Sequence, residues 1–218
     1  MSVGGRLSSA ARRLLGLTPA DPYGEPVGTA PVLVVPGLRN SGAQHWQTLW
    51  EAERSEFRRV IQRDWQVPDL EAWAGEVASV VRAAAAPPLV VAHGFGCLAT
   101  VRAALTDGAP IRAALLVAPM DPETISVESL VPERRLPFAS ALVASSNDPW
   151  MKLVKAGNLA SLWGSRFVAY RNAGHINAES GYGPWPDAVR LLRQVEAKAQ
   201  RRSVADVVAH QDPAHAAR

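Results

Sequence analysis

Short runs of apolar residues alternate with longer segments of helical periodicity through most of this chain. The runs are rich in aliphatic and β-branched residues, and most contain no interior polar position, which is typical of strands buried on both faces. They predict strands at residues 30–35, 59–61, 88–92, 113–117, 139–144 and 166–170.

Segments with the periodicity of amphipathic helices separate these strands. They predict helices at residues 44–53, 69–84, 96–105, 151–163 and 185–200. The segment 69–84 is the clearest, because Asp69 follows a proline and is a favourable N-cap. Its apolar residues fall on one face at helical spacing, namely Leu70, Trp73, Val77, Val80 and Val81.

Strands that alternate with amphipathic helices predict the α/β class. We expect a three-layer sandwich in which helices cover both faces of a mostly parallel central sheet. The stretch between Pro119 and Pro137 is too short to form a large lid domain, so we expect a fairly open pocket.

The two ends of the chain lie outside this alternating pattern. Residues 1–29 are expected to be an N-terminal extension and linker, since prolines and glycines are frequent from residue 18 onward. Residues 30–197 are expected to form one domain, and residues 198–218 a helical or disordered tail.

Composition and charge narrow the class of protein. The 48% hydrophobic and 20% charged content is ordinary for a soluble globular domain. The net charge of +3 comes from the chain ends, so the pI near 9.4 does not indicate a nucleic-acid-binding surface. No apolar stretch approaches the roughly 18 residues of a membrane span, and the single cysteine suits a reducing compartment. We expect a cytoplasmic protein that binds neither nucleic acid nor membranes.

The loops that follow the predicted strands carry the candidate chemistry. Ligands of parallel α/β sheets bind beyond the carboxyl ends of the strands. Four loops should meet at that edge, at residues 36–40, 94, 145–150 and 172–175. Their convergence predicts a binding or active site there.

Residues 89–99 predict a buried strand, a tight turn and the start of a helix, which resembles the nucleophile elbow, G-x-S-x-G, of α/β-hydrolases. The pentapeptide here is Ala92-His93-Gly94-Phe95-Gly96, so the small outer residues are present and glycine stands at the nucleophile position. Asp148 and His175 follow in the chain order of the acid and the base. The sequence resembles a serine hydrolase that lacks its attacking atom.

Five segments in the right order make the resemblance specific, and together they cover roughly residues 31–196. Over this range the chain resembles the small single-domain serine hydrolases of the retinoblastoma-binding-protein-9/YdeN family, a compact branch of the α/β-hydrolases. The matching stretches are Val34-Val35-Pro36-Gly37 with Ser41-Gly42 and His45-Trp46-Gln47; Asp64-Trp65 with Pro68-Asp69-Leu70; His93-Gly94-Phe95-Gly96-Cys97; Ser145-Ser146-Asn147-Asp148-Pro149; and Gly174-His175-Ile176-Asn177 with Ser180-Gly181-Tyr182-Gly183 and Trp185.

The resemblance implies a Ser-Asp-His mechanism on small ester or amide bonds. His175 would be the general base, and Asp148 would orient and stabilise its imidazole. The backbone N–H groups of Phe95 and of Leu38, or of a neighbour in the same loop, would form the oxyanion hole.

The same motifs supply candidate substrate-binding residues, which are Arg39, His45, Trp46 and Asn177. Arg39 could steer an anionic substrate, although an exposed surface arginine fits equally well. His45, like His93, could instead pack or form hydrogen bonds near the site, and the motif tryptophans could belong to the core.

No metal-ligand spacing, P-loop or dinucleotide fingerprint is visible, so neither a metal nor a cofactor is expected. Cys97 is expected to be buried, with a substitute nucleophile as the less favoured alternative. The expected partner is a small ester or amide substrate, and a protein partner fits only if the chain is a pseudoenzyme.

Glycine at position 94 leaves three hypotheses open. An elbow residue takes a strained backbone conformation that glycine adopts freely, so the fold should tolerate this change. The chain could be a hydrolase scaffold with an engineered Ser→Gly change, a natural pseudohydrolase that binds a small molecule or a protein, or a weak hydrolase that uses a water activated by His175. Restoring serine should give full activity under the first hypothesis and little under the second.

Overall fold

A computed structural model describes residues 31–211 of the chain, with side chains to residue 201. The predicted N-terminal extension, and the end of the predicted tail from residue 212 onward, lie outside the described residues. All five predicted helices and six predicted strands have counterparts within the described range, with ends that shift by a few residues.

The strands form one six-stranded sheet in which every neighbouring pair is parallel, in the order β2-β1-β3-β4-β5-β6. This confirms the prediction of an α/β fold with a mostly parallel central sheet. The strands are β1 (Val32–Val35), β2 (Phe57–Arg59), β3 (Leu89–His93), β4 (Ala113–Val117), β5 (Ala139–Ser145) and β6 (Arg166–Tyr170).

The predicted position of β2 is wrong by two residues. The sequence favours 59–61 because Val60 and Ile61 are β-branched, yet Ile61 is 63% exposed. The apolar anchor of the strand is Phe57, whose ring lies 5.4 Å from that of Trp50. Packing of that ring therefore fixes the register, in which Phe57 pairs with Val32.

Helices cover both faces of the sheet, as expected for a three-layer sandwich. They are α1 (Trp46–Glu53), α2 (Leu70–Ala83), α3 (Phe95–Leu105), α4 (Leu153–Trp163) and α5 (Pro186–Gln211). The predicted cap of α2 is present, since the Asp69 carboxylate accepts a hydrogen bond from Ala72 N at 3.0 Å. Helix α5 extends past its predicted end at residue 200.

Alternate residues of each buried strand enter two separate cores. Leu33 and Val35 pack in the core beneath α2, α3 and α4, whereas Val32 and Val34 pack in the core beneath α1 and α5. This division explains why the buried strands are continuously apolar, because both of their faces are covered.

The segment between β4 and β5 contains two short 3₁₀ helices, Glu123–Ile125 and Glu128–Leu130. Val127 and Val131 in this segment are buried, so it packs onto the domain, in agreement with the expectation of no large lid. Among the described helices, none is both long and apolar enough to cross a membrane.

Candidate active site

Gly94 is the single residue between the end of β3 and the start of α3. Its backbone has φ of 54° and ψ of −124°, a conformation that L side chains rarely adopt. The Gly94 N–H donates to the Val117 carbonyl at 3.0 Å, which fixes the turn against β4. The chain therefore keeps the sharp strand-to-helix turn of a nucleophile elbow.

Two further glycines let the elbow lie directly against the loop that follows β1. A Cβ on Gly96 would lie 2.4 Å from the Pro36 carbonyl oxygen, closer than any side chain could be placed. A Cβ on Gly37 would lie 3.2 Å from the His93 carbonyl oxygen and 3.5 Å from the Phe95 nitrogen. The loop after β1 thus sits beside the amino end of α3.

This contact places Gly37, the neighbour of the predicted oxyanion-hole residue Leu38, beside the backbone nitrogen of the other predicted residue, Phe95. The first N–H groups of a helix have no partner within the helix, and the helix dipole favours negative charge there. The Phe95 ring is fully buried with its centroid 5.0 Å from that of Trp73, so Phe95 can offer only its backbone N–H. Leu38 is partly exposed in the adjacent loop.

The structure also brings together the predicted acid and base. His175 Nδ1 lies 3.0 Å from both carboxylate oxygens of Asp148. The Asp148 side chain is only 1% exposed and the His175 side chain 13% exposed. With Nδ1–H donating to the carboxylate, Nε2 of the neutral ring is a proton acceptor.

The Nε2 atom of that imidazole points at the elbow. A Cβ added to Gly94 would lie 3.4 Å from His175 Nε2 and 3.6 Å from the Cα of Gly37. A hydroxyl one bond beyond this Cβ could reach hydrogen-bond distance of Nε2, roughly 2.6–3.2 Å. The predicted nucleophile position, base and acid therefore form one continuous arrangement across three loops.

Polar side chains from β5 and from the loop after it hold the histidine loop. The Ser145 hydroxyl accepts from Ala173 N at 2.9 Å, and Asn147 Oδ1 accepts from Gly174 N at 2.8 Å. Sequence reasoning missed both supports. Ser145 and Asn147 both lie in the motif around Asp148, and this is the only signal for them in the sequence.

The backbone of His175 itself is held on both sides. Its N–H donates to the Ser180 hydroxyl at 3.1 Å, and its carbonyl accepts from His93 Nε2 at 2.9 Å. His93 comes from the elbow, so it couples the base to the nucleophile position. This agrees with the prediction that His93 forms hydrogen bonds near the site.

Two of the predicted substrate-binding residues are corrected by the structure. Trp46 is fully buried and donates its indole N–H to the Ile176 carbonyl at 2.9 Å. His45 is 6% exposed and caps α1, because its Nδ1 accepts from Gln47 N at 3.3 Å. Both rings are buried, so Trp46 supports the loop that carries His175, whereas His45 caps α1 and packs against the His93 ring at 4.9 Å.

The other two candidates lie at the surface of the site region. Asn177 Oδ1 accepts from the N–H and the hydroxyl of Ser180, at 3.0 Å and 2.9 Å, so its carboxamide oxygen is committed to the turn. Arg39 is exposed, and its backbone N–H donates to the Trp65 carbonyl at 2.7 Å. Substrate contact by Arg39 remains a prediction.

Arg59, to which the sequence pattern assigns no role, holds the loop that carries Leu38. Its Nη1 donates to Asn40 Oδ1 at 2.8 Å and to the Ser41 carbonyl at 3.2 Å, and its Nε contacts the Glu51 carboxylate at 3.0 Å. Asn40 and the preceding residue both have positive φ, 63° and 65°. An ion pair between β2 and α1 thus fixes a strained loop conformation.

Burial sets the charge of the histidines behind His175. Desolvation lowers the pKa of His45 to about 3, with smaller contributions from Arg59 and His175. Desolvation also lowers the pKa of His93 well below its ordinary value. Both rings are therefore neutral near pH 7, so neither places a positive charge next to His175.

Cys97 is a packing residue, as expected. It is fully buried, and its thiol donates to the Val117 carbonyl at 3.3 Å. Burial raises the pKa of the thiol, which suppresses the reactive thiolate. Within the described residues, no group of three or more His, Cys, Asp or Glu is arranged to hold a metal ion.

Both a family model and solved structures are similar to this chain. The family model described as serine hydrolase matches residues 32–194. A YdeN-like hydrolase from Pectobacterium atrosepticum has a crystal structure that is 32% identical with a TM-score of 0.74, covering 78% of this chain and 91% of that one. No curated protein sequence matches this chain.

More distant structures share the fold. The ydeN gene product of B. subtilis is 17% identical with a TM-score of 0.62, covering 78% of this chain and 100% of that one. A monoacylglycerol lipase from Paleococcus ferrophilus is 12% identical with a TM-score of 0.56, covering 76% of this chain and 96% of that one.

Proposed function

The chain belongs to the serine hydrolase family, and from that membership we propose that its domain is a hydrolase site for small ester or amide substrates, silenced at the nucleophile. Asp148 and His175 are the acid and base of this site. The N–H groups of Leu38 and Phe95 form the oxyanion hole. Because Gly94 has no side chain, the acyl-enzyme route is closed in the chain as it stands.

One observation carries this proposal. The Cβ position on Gly94 lies 3.4 Å from His175 Nε2, although the two residues are far apart in sequence and belong to different loops. The base is therefore placed where a side chain on the elbow residue would meet it. The buried carboxylate on the opposite side of the same ring supports this interpretation.

With serine at position 94, the geometry supports acyl transfer in two steps. The hydroxyl would attack the carbonyl carbon while Nε2 of His175 takes its proton, and the buried Asp148 carboxylate would stabilise the imidazolium. The oxyanion would lie between the two backbone N–H groups. His175 would then protonate the leaving alcohol or amine, and water would release the acyl group.

The test is to compare hydrolysis of p-nitrophenyl butyrate by the chain and by Gly94→Ser. We expect Gly94→Ser to be faster by on the order of 10³-fold or more, since the complete triad acts as a unit. It should also be labelled by a fluorophosphonate, which requires an activated serine. Gly94→Ser/His175→Ala is the matched control and should lose both properties.

A second function remains a candidate because of the backbone at position 94. Glycine adopts this conformation without strain, so the same residue that removes the nucleophile also relieves backbone strain at the elbow. A natural pseudohydrolase that binds a small molecule or a protein would carry such a change. If folded Gly94→Ser showed neither activity nor labelling, the hydrolase proposal would fail and this binding role would take its place.

A further inference from the structure

We propose that the chain with Gly94 is itself a slow esterase, in which His175 deprotonates a water molecule that attacks the ester carbonyl directly. The proposal rests on the site described under the proposed function. It differs in the nucleophile and in the absence of any covalent intermediate.

The geometry around Gly94 provides room for a water oxygen. In a serine enzyme two atoms, Cβ and Oγ, fill the space between the elbow Cα and the base. Here the nearest atoms to the Cβ position are His175 Nε2 at 3.4 Å and the Gly37 Cα at 3.6 Å. A water oxygen must stay at contact distance from the Gly94 Cα, so it would lie farther out than the Cβ position, with Nε2 within hydrogen-bond reach.

The base is prepared for this role by its surroundings. The nearly fully buried Asp148 carboxylate accepts from Nδ1, so Nε2 is the free acceptor and the imidazolium formed on proton transfer is stabilised. The neighbouring His93 ring, with its centroid 4.7 Å away, is neutral and does not oppose that charge. The 13% exposure of His175 admits solvent to the ring.

The reaction balances without any further reactant. The water oxygen forms a bond to the carbonyl carbon as one of its protons moves to Nε2, and the oxyanion lies at the N–H groups of Leu38 and Phe95. The bond from carbon to the leaving oxygen then breaks, and that oxygen takes the proton from His175. The products are a carboxylic acid and an alcohol or phenol, and one water is consumed.

This route selects a substrate class. A general base alone contributes about 10²–10⁴-fold, so it suffices only where the leaving group departs easily. Aryl esters of short acyl groups meet this condition, whereas amides and alkyl esters need the covalent route. We therefore expect turnover of p-nitrophenyl acetate and none of the corresponding anilide.

The experiment follows p-nitrophenyl acetate hydrolysis by the chain, His175→Ala, Gly94→Ala and Gly94→Ser, with folding checked by circular dichroism. The expected result is steady turnover by the chain, without a burst and insensitive to fluorophosphonate. His175→Ala should lower it at least tenfold. Gly94→Ala should lower it similarly, because its methyl group, 3.4 Å from Nε2, would crowd the space in which the water must lie.

The outcomes separate this proposal from the one on which it rests. Turnover by His175→Ala equal to that of the chain would overturn the water route, since the activity would arise elsewhere on the surface. An inactive chain beside an active Gly94→Ser would also overturn it and leave the hydrolase site standing. If neither protein hydrolyses the ester, both proposals fail.

Discussion

Two glycines of the elbow act through different physical properties. Gly94 takes its backbone conformation, with φ of 54°, without the strain that another residue would bear, whereas Gly96 is required for space. A Cβ on Gly96 would meet two backbone oxygens, those of Val35 and Pro36, at 2.6 Å and 2.4 Å. Backbone atoms at a strand end cannot move aside, so any larger residue would separate α3 from β1.

We predict that Gly96→Ala lowers the free energy of unfolding by about 3 kcal/mol, as for an overpacked core. Gly75→Ala is the matched control, because it lies inside α2 with no atom within 4 Å of its Cβ position. That variant should be more stable than the chain by about 0.5–1 kcal/mol. Urea unfolding measures both, and equal effects of the two substitutions would contradict the close approach at Gly96.

At the level of elements, an ion pair between β2 and α1 controls the loop after β1. The Arg59 side chain is 16% exposed and joins the Glu51 carboxylate to Asn40 and to the Ser41 carbonyl. This loop carries Leu38, one of the two proposed oxyanion donors. The strain of the positive φ at Asn40 is held by these contacts, so Arg59 is a positioning residue.

We expect Arg59→Lys, made in the Gly94→Ser background, to lower kcat for p-nitrophenyl butyrate roughly tenfold with little change in KM. Lysine keeps the charge but cannot contact Glu51, Asn40 and Ser41 together. Arg63→Lys is the control, because Arg63 pairs with Glu76 at the surface with an 89% exposed side chain. A change in KM alone, or a similar loss in the control, would count against the positioning role.

Three imidazoles form a row beside the elbow, of which His45 and His93 are buried and His175 is partly exposed. The ring centroids of His45 and His93 are 4.9 Å apart, and those of His93 and His175 are 4.7 Å apart. Burial lowers the pKa of His45 from 6.5 to about 3, whereas an unfolded chain binds that proton near pH 6.5. The unfolded state therefore holds more protons than the folded state between these values.

It follows that the free energy of unfolding falls as pH drops from about 6.5 toward 3, by about 1.4 kcal/mol per pH unit for His45. His45→Asn should remove this share of the slope while keeping a cap on α1, since Asn Oδ1 can replace Nδ1 as the acceptor from Gln47 N. Urea unfolding at pH 7, 6 and 5 tests this. Parallel pH profiles of the two proteins would show that His45 titrates normally in the fold.

Much of the fold could be predicted because its signals are local. Strands β4 and β6 are predicted to the residue, and the Asp69 cap of α2 follows from one side chain and its neighbours. The position of β2 could not be predicted, because packing of Phe57 on the Trp50 ring of α1, a tertiary contact, outweighs local β-propensity. The elbow, Asp148 and His175 could be proposed from motifs and chain order.

The sequence by itself determined the α/β class, the parallel sheet, the edge at which the loops meet and the glycine where a nucleophile would stand. These follow from periodicity and from short motifs, which act over a few residues. Only the tertiary structure decided that His175 Nε2 faces the Cβ position of Gly94, that Trp46 holds the His175 loop from inside, and that His45 is buried against His93. Such facts depend on contacts between residues as much as 130 positions apart, and these contacts arise only when the whole core is assembled.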